Sequence, residues 1–190
     1  MNLSEDGFTG LIAISEVEPT ELHRIDSFTS GRDELDEFLT QQAAALHSDH
    51  LSHTSCLFHT DFPSLVGFIT LSNDAIPLNQ TEVGELGLAY PVSLSFYPAI
   101  KIGRLAVHSD LKRQGVGRRI LDLAVGEITG QATITASRLL ITDAVNDKEI
   151  LSFYASMGFE ESLWATAQNR NHGRGKERAT IKMIRDIYHY

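Results

Sequence analysis

The segment "RLAVHSDLKRQGVGRRIL", Arg104 to Leu121, joins a predicted strand to a predicted helix. "AIKIGRLAV" (Ala99–Val107) has the apolar pattern of a buried strand, and helical spacing begins at Gly117. Four cations surround the glycines of the turn between them: Lys112, Arg113, Arg118 and Arg119. A strand, a glycine turn and a helix in that order present free backbone N–H groups to an anion. The segment carries neither GxGxxG nor GxxxxGK[ST]. Taken alone, it is compatible both with a phosphate site and with a simple tight turn into a surface helix.

Length and composition indicate an ordinary globular protein. With 190 residues, 42% hydrophobic, the chain is expected to form one domain over residues 1–190. Its one cysteine, Cys56, cannot form an internal disulfide, which favours a reducing compartment. The acidic, polar start "MNLSEDGFTG" does not resemble a signal peptide, and no apolar run is long enough to cross a membrane. We expect a soluble cytoplasmic protein without a membrane partner.

The net charge of −9 is distributed unevenly along the chain. Residues 1–99 contain two basic and fifteen acidic residues, whereas residues 100–190 contain fourteen basic and ten acidic residues. Such asymmetry can mark a surface for an anionic ligand or a nucleic acid, although each single cation is more simply a solvated surface residue.

The first half of the chain predicts a strand, a long helix and a hairpin. "LIAISEV" (Leu11–Val17) is a candidate strand, and "SGRDELDEFLTQQAAALH" (Ser30–His47) has helical spacing with Ser30 as its cap. "SCLFHT" (Ser55–Thr60) and "SLVGFITLS" (Ser64–Ser72) predict two strands of a hairpin. The stretch from Asn73 to Pro98 gives no clear assignment.

The second half predicts alternating strands and helices around the glycine turn. "RLLIT" (Arg138–Thr142) and "ATIKMIRDI" (Ala179–Ile187) are candidate strands. "NDKEILSFYASMGF" (Asn146–Phe159) is a candidate helix with Gly158 as its left-handed cap. The order of elements predicts a mixed α/β sheet.

The glycine turn resembles the coenzyme A signature of the GNAT superfamily of N-acetyltransferases, [QR]-x-x-G-x-[GA]. The matching residues are Lys112, Arg113, Gln114, Gly115, Val116 and Gly117. Lys112 departs from the pattern, which has Gln or Arg at that position. Because backbone amides bind the pyrophosphate in this family, the resemblance implies that Lys112 weakens the match only slightly.

A second block, "DAVNDKEILSFYASMGFEES", resembles a later segment of the same family. There, an Asn or Asp precedes a helix that carries "FY" and then "GF". The resemblance implies that Tyr154 is the general acid toward the thiolate of coenzyme A, and a phenol is a suitable donor to a thiolate. The alternative is that Tyr154 is only a core residue beside Phe153. The spacing leaves open whether Asn146 or Asp147 fills the Asn position.

The two blocks together imply a fold, a co-substrate and a reaction. The implied fold is the mixed α/β GNAT fold, a mostly antiparallel twisted sheet flanked by helices, with acetyl-CoA in a splay between two central strands. The implied reaction is direct attack of a primary amine on the acetyl thioester, without a metal. The residues implied to contact acetyl-CoA are Leu105, Ala106, Val107, Lys112, Arg113, Gln114, Gly115, Val116, Gly117, Arg118 and Asn146. Val107 N–H is the expected donor to the acetyl oxygen.

The general base is not evident from the sequence. Family members often have a Glu on a central strand, yet "AIKIGRLAV" contains no acid. Glu82, Glu85, Asp143 and water all remain as candidates, and for each acid a surface position is the simpler explanation.

A weaker resemblance indicates one branch of the family. The pattern F-x-x-G-x-x-x-L-x-x-[FWY]-L, typical of acetyltransferase toxins of toxin–antitoxin pairs, is matched by Phe28, Gly31, Leu35, Phe38 and Leu39. Those toxins acetylate the α-amine of aminoacyl-tRNA, and the same branch contains acetyltransferases without assigned substrates. A small-molecule or peptide amine, aminoacyl-tRNA, and a silent acyl-CoA-binding module therefore all remain as hypotheses. An antitoxin partner and a homodimer are further implications of the resemblance.

Three other features have simple structural explanations. His47, His50 and His53 are spaced by three, but they have no evident acidic or cysteine partners, so we expect no metal site. Cys56 lies between apolar residues, which favours a buried and inert thiol. "NRNHGRGKER" (Asn169–Arg178) has the composition of a mobile loop and could contact substrate or RNA.

Overall fold

A computed structural model describes residues 3–88, 94–130, 136–172 and 178–188. The strands in these ranges are β1 (Ile12–Ala13), β2 (His53–Leu57), β3 (Gly67–Ile76), β4 (Tyr97–Val107), β5 (Leu139–Val145), β6 (Glu160–Glu161) and β7 (Thr180–Asp186). The α-helices are α1 (Leu22–Asp26), α2 (Asp33–Gln41), α3 (Ala43–Ser48), α4 (Gln80–Glu85), α5 (Val116–Gly130), α6 (Lys148–Ser156) and α7 (Leu163–His172). No helix among the described residues is long and apolar enough to cross a membrane.

The strands form one mixed sheet in the order β1-β2-β3-β4-β5-β7-β6. β4 and β5 are parallel, whereas β1–β2, β2–β3, β5–β7 and β6–β7 are antiparallel pairs. The register of β4 with β5 runs from Ala99–Leu139 to Ile102–Thr142, although β4 itself continues to Val107. The mostly antiparallel α/β sheet predicted from the sequence is therefore confirmed.

The chain divides into two compact units, and strands β3 and β4 run through both of them. The first unit comprises Met1–Ser72 and Gly103–Gln131. Its core lies between the short helices α1–α3 and the strands, around Phe28, Phe38 and Phe68. The two phenyl rings of Phe38 and Phe68 stack with their centroids 6.3 Å apart.

The second unit comprises Asn73–Ile102 and Ala132–Tyr190. Its core includes Tyr97, Leu139 and Ile184, on which the partly buried side chains of α4 pack. A single domain over residues 1–190 stays a prediction.

Several predicted elements are confirmed, and two are wrong in detail. The strand predicted over Leu11–Val17 is limited to Ile12–Ala13, because the chain continues as a 3-10 helix over Ile14–Glu16. The hairpin of β2 and β3, the long strand β4, and helices α5 and α6 lie where the sequence predicts them. The predicted helix over Ser30–His47 is instead two helices, which are separated at Gln42 (φ −123°, ψ −34°). Ser30 is not the cap, because its hydroxyl donates to the Asp36 carboxylate at 2.6 Å and α2 begins at Asp33.

The structure also assigns secondary structure to two segments that had no strand or helix assignment from the sequence. The stretch from Asn73 to Pro98 contains the end of β3, helix α4 and the start of β4, while residues 89–93 lie outside the described residues. The predicted loop over Asn169–Arg178 is partly helical, since α7 extends to His172. Residues 173–177 of that loop lie outside the described residues.

Candidate active site

The turn between β4 and α5 is anchored on both sides by buried residues. Leu111 is fully buried and Val116, the first residue of α5, is also buried. Ser109 N–H donates to the Thr29 carbonyl at 2.8 Å, and His108 lies between the rings of Phe28 and Phe62. These contacts fix the start of the helix while residues 112–115 stay exposed.

The backbone of the exposed turn adopts a left-handed conformation at two positions. Gly115 has φ +81°, which a glycine adopts without a steric penalty, and Arg113 has φ +63°. The first N–H groups of an α-helix have no partner within the helix, and the helix dipole makes this end positive. The turn and the start of the 15-residue helix α5 thus have the arrangement that binds phosphate groups.

The cations near the turn are not equivalent. Lys112 is exposed, whereas Arg119 pairs with the Glu5 carboxylate and its guanidinium lies 4.4 Å from the centroid of the Phe8 ring. Arg119 therefore holds the N-terminal segment against α5. An open cleft of about 1030 Å³ lies beside the contact of Arg119 with Glu5 and Phe8. Its lining includes these three residues and Gln114, Gly115 and Arg118.

The segment Leu105–Val107 presents strand backbone next to this turn. The register of β4 with β5 ends at Ile102, five residues before the end of β4. In Leu105, Ala106 and Val107, the backbone N–H and C=O groups on the β5 side therefore form no hydrogen bonds in the β4–β5 strand pair. Strand N–H and C=O groups of this kind can hydrogen-bond to an extended chain such as pantetheine.

In the second unit, Tyr154 lies on α6 with its side chain only 6% exposed. Its ring contacts those of Phe153 and Phe159 edge to face, with centroids 5.1 and 5.2 Å apart. Burial raises the pKa of the Tyr154 phenol, although a side-chain hydrogen bond with Thr142 lowers it in part. The net effect is a pKa above the ordinary value. A phenol is already protonated at neutral pH with its ordinary pKa, so the hydroxyl has a proton to donate.

Both ends of α6 are capped, and the caps fix the position of Tyr154. Asp147 accepts hydrogen bonds from Glu149 N–H at 2.9 Å and Ile150 N–H at 3.1 Å. Gly158 has φ +79°, and the Phe159 N–H donates to the Tyr154 carbonyl at 3.0 Å, as in a Schellman motif.

The structure separates the roles of Asn146 and Asp147. Asp147 is the helix cap, whereas the Asn146 side chain donates to the Arg178 carbonyl at 2.8 Å. Asn146 N–H also donates to the Ala179 carbonyl at 2.9 Å. Asn146 thus ties the end of β5 to the segment that enters β7, and a contact with coenzyme A stays a prediction.

Two of the acids that were candidates for the general base are already engaged. Buried Glu82 accepts from Asn79 N–H (2.8 Å), the Ser162 hydroxyl (3.1 Å), Leu163 N–H (2.7 Å) and Trp164 N–H (3.2 Å). This carboxylate caps the start of α7 as well as that of α4, which is a structural role. Its lone pairs have no room for an amine proton donor in this arrangement.

Asp143 is also poorly suited to accept a proton. Its two carboxylate oxygens lie 2.7 Å from Lys101 Nζ and 2.9 Å from Lys182 Nζ. Burial would raise the pKa of this carboxyl, but the hydrogen bonds from Lys101 and Lys182 outweigh burial and hold it below its usual range. Glu85, which is exposed, and water remain as candidates.

The other residues singled out in the sequence have structural contacts. His47 accepts from Thr54 N–H at 3.2 Å through Nδ1, and its Nε2 lies 3.1 Å from the Ser15 hydroxyl. Within the described ranges, no group of three or more His, Cys, Asp or Glu side chains is arranged to hold a metal. Cys56 is buried, and burial raises the pKa of its thiol to about 12, which confirms an inert cysteine.

The predicted site residues therefore fall into two sets. Leu105–Val107 and residues 112–118 lie together in the first unit, and Asn146 and Tyr154 lie together in the second. Sequence patterns missed Thr142, the hydrogen-bond partner of Tyr154, because a threonine within an apolar strand gives no signal of its own. They also missed the position of Arg104, whose guanidinium lies 3.6 Å from the centroid of the Phe38 ring.

Comparison with known proteins identifies the family of this chain. Residues 65–161 match the model of the GNAT acetyltransferase domain. A tRNA-acetylating toxin of Mycobacterium tuberculosis is 28% identical over 138 residues, which are 73% of this chain and 79% of that protein.

Solved structures with the same fold include two bacterial toxins. A tyrosine-to-phenylalanine variant of KacT has a TM-score of 0.68 and 18% identity, over 93% of this chain and 94% of that one. AtaT complexed with acetyl-methionyl-tRNAfMet has a TM-score of 0.68 and 17% identity, and the match covers 92% of this chain and 93% of AtaT. A variant of AtaT bound to acetyl-CoA and the C-terminus of the antitoxin AtaR has a TM-score of 0.66 and 17% identity. This match covers 96% of this chain and 94% of the AtaT variant.

At these identities the structural matches establish the fold, and the family model establishes the family. The exposed glycine turn at the start of α5 and the protonated Tyr154 fit the same assignment. The chain therefore belongs to the GNAT family of acetyltransferases, and its reaction is the transfer of an acetyl group from acetyl-CoA to an amine.

Proposed function

We propose that this acetyltransferase modifies the α-amine of aminoacyl-tRNA and acts as the toxin of a toxin–antitoxin pair. The observation that carries the proposal is the 28% identity with a tRNA-acetylating toxin over most of both chains. The fold shared with AtaT in its complex with acetyl-methionyl-tRNAfMet supports the same acceptor.

The residues of the turn are proposed to hold the pyrophosphate of acetyl-CoA through the backbone. The N–H groups of residues 113–118 would donate to its oxygens at the positive end of α5, and the side chains of Lys112, Arg113 and Arg118 would add positive charge. Leu105, Ala106 and Val107 would align the pantetheine along β4. Asn146 is proposed to contact coenzyme A from the start of α6.

Acetyl-CoA supplies the acetyl group as a reactive thioester. Val107 N–H is proposed to donate to the acetyl carbonyl oxygen, where negative charge develops as the amine attacks. The Tyr154 hydroxyl is proposed to give its proton to the departing sulfur, since a phenol is protonated at neutral pH. Because Glu82 and Asp143 are engaged by other donors, water is the proposed acceptor of the amine proton.

The proposed function implies partners and a location. AtaT has been solved with the C-terminus of its antitoxin AtaR, and we propose a corresponding antitoxin for this chain, together with a homodimer. Since charged tRNA and acetyl-CoA occur in the cytoplasm, we propose that the protein acts there.

The net charge of −9 argues against an RNA substrate, because phosphate contacts dominate RNA affinity. The excess of basic residues after residue 99 weakens this objection. A small-molecule or peptide amine is the alternative acceptor, and the experiment below separates the two.

The test is an acetylation assay with radiolabelled acetyl-CoA and purified protein. Charged tRNA, uncharged tRNA, free amino acids and peptides are offered in parallel. We expect label on charged tRNA only, and we expect expression of the protein to stop growth unless the neighbouring antitoxin is co-expressed. Label on a free amine or peptide, with charged tRNA unmodified, would refute aminoacyl-tRNA as the acceptor.

A further inference from the structure

Arg104 differs from the arginines of this chain that pair with a carboxylate. Ion pairs join Arg24 to Glu21, Arg119 to Glu5, Arg138 to Asp186 and Arg178 to Glu161. Among the described residues, no carboxylate pairs with Arg104, although it is half-buried. Its guanidinium N–H groups are therefore not used by an ion pair among the described residues, and they are available to an anion.

The guanidinium of Arg104 is held in place by an aromatic ring. Its central carbon lies 3.6 Å from the centroid of Phe38, whose side chain is 1% exposed and stacks on Phe68. A guanidinium that stacks by its face keeps its N–H groups directed outward in the plane, where they can donate. The stack therefore orients the donors of Arg104 without using them.

The acidic residues of α2 form no ion pair with Arg104 among the described residues. Although α2 contains Asp33, Glu34, Asp36 and Glu37, none pairs with Arg104. Asp36 accepts hydrogen bonds from the Ser30 N–H and hydroxyl at 2.8 and 2.6 Å and from the Thr29 hydroxyl at 3.0 Å. These bonds outweigh the effect of burial and lower the pKa of Asp36, so its carboxylate is already satisfied.

Arg104 is also close in sequence to the backbone that aligns the thioester. It immediately precedes Leu105–Val107 on β4, and its side chain shares a face with that of Ala106, since side chains alternate along a strand. Ala106 belongs to the same buried cluster as Phe38 and Phe68. An acceptor whose amine reaches this part of β4 would bring nearby anionic groups within reach of Arg104.

We infer that Arg104, stacked on Phe38, binds the 5′-phosphate of the 3′-terminal nucleotide of the aminoacyl-tRNA acceptor. This inference rests on the proposed function. The aminoacyl ester and the 5′-phosphate are carried by the same ribose, so one contact places the amine relative to β4. Arginine suits this task because its planar fork of donors matches phosphate oxygens.

The test compares acceptors that differ only in that phosphate. Three acceptors are assayed with the wild type, Arg104→Met and Arg104→Lys. They are adenosine esterified with methionine on its 3′-oxygen, the same ester carrying a 5′-phosphate, and methionyl-tRNA. We expect the wild type to favour the phosphorylated nucleoside in kcat/KM by about 10- to 100-fold, the usual worth of a charged hydrogen bond. Arg104→Met should abolish this preference, and Arg104→Lys should keep part of it.

Arg32→Met is the matched control, because Arg32 is exposed and the substitution removes the same charge from the same unit. It should keep the preference. For methionyl-tRNA, Arg104→Met should raise KM and reduce the slope of log KM against log salt by about one. The acetyl-CoA Kd and the melting temperature should not change, which separates loss of a phosphate contact from loss of the fold.

The outcomes distinguish this inference from the proposed function. If the wild type acetylates a different charged tRNA, the assay uses the aminoacyl group of that tRNA. If it acetylates no charged tRNA, the proposed function fails and the inference fails with it. If methionyl-tRNA is acetylated but Arg104→Met keeps the phosphate preference and the salt slope, only the inference is refuted. An equal loss of kcat/KM with all three acceptors would assign Arg104 to the packing of Phe38 instead.

Discussion

The turn before α5 and the segment around Tyr154 are proposed to contact the same co-substrate, but they are built in opposite ways. Residues 112–115 are exposed, and their proposed role depends on the path of the backbone, with left-handed residues at Arg113 and Gly115. Tyr154 is buried among aromatic rings, and its proposed role depends on one side-chain hydroxyl. Side-chain changes in the turn should therefore matter less than loss of the Tyr154 hydroxyl, unless they block the backbone.

Tyr154→Phe should have the largest effect. Removing the general acid should lower kcat by roughly 100- to 10,000-fold, while the acetyl-CoA Kd stays the same. The change keeps the aromatic contacts with Phe153 and Phe159, so the melting temperature should change little. Single-turnover kinetics and calorimetric titration with acetyl-CoA measure the two quantities.

Tyr97→Phe is the control for this substitution, because Tyr97 is also buried and lies in the core of the same unit. It should leave kcat unchanged. If Tyr154→Phe weakened acetyl-CoA binding as much as turnover, Tyr154 would be a structural residue only.

Gly117→Asp should have the second largest effect and should act on binding. An aspartate in the first turn of a helix is compatible with the helix dipole, so the free protein should remain folded. Its carboxylate would, however, repel the pyrophosphate at the start of α5. Protection by acetyl-CoA in thermal melts, worth about 2.7 kcal/mol at a concentration 100 times Kd, should disappear.

Gly84→Asp in helix α4 is the matched control, since a Cβ at Gly84 meets no heavy atom within 4 Å and Gly84 lies away from the turn, in the second unit. Protection by acetyl-CoA should survive there. Protection that also survives in Gly117→Asp would remove the turn from the proposed binding site.

Lys112→Gln should have the smallest effect. It restores the residue that the family signature prefers and removes one exposed charge, which is usually worth less than about 1 kcal/mol. We expect the acetyl-CoA Kd to change by less than about fivefold. A change larger than about tenfold would mean that the Lys112 side chain, rather than the backbone, carries the binding.

The sequence predicted the parts of the site that depend on local order along the chain. β4, the glycine turn and α5 follow each other within about thirty residues, and strand, turn and helix patterns are local properties. For the same reason the Gly158 cap of α6 was predicted from its position, whereas the cap at Asp147 was not. The helix over Ser30–His47 was wrong because Asp36 binds Ser30 and the chain turns at Gln42, which the apolar spacing does not reveal.

The sequence could not assign the acids, since their roles depend on partners far along the chain. Glu82 is fixed by Ser162, Leu163 and Trp164, about eighty residues away. Asp143 is held by Lys101 and Lys182, which lie on the strands to either side of β5. In the sequence, each carboxylate could be a surface acid or a general base. Only the hydrogen bonds and ion pairs that each one accepts in the structure argue against its taking the amine proton.

The sequence by itself indicated the family, the co-substrate and the turn that is proposed to bind phosphate, because a turn that binds through its backbone needs only glycines and a helix start in the right order. Tertiary structure decided which side chains remain free for chemistry. Burial and the hydrogen bond with Thr142 set the pKa of Tyr154, and the stack on Phe38 leaves the donors of Arg104 without a carboxylate among the described residues. Desolvation and pairing act between residues that are distant in the chain, so they exist only once the sheet has brought those residues together.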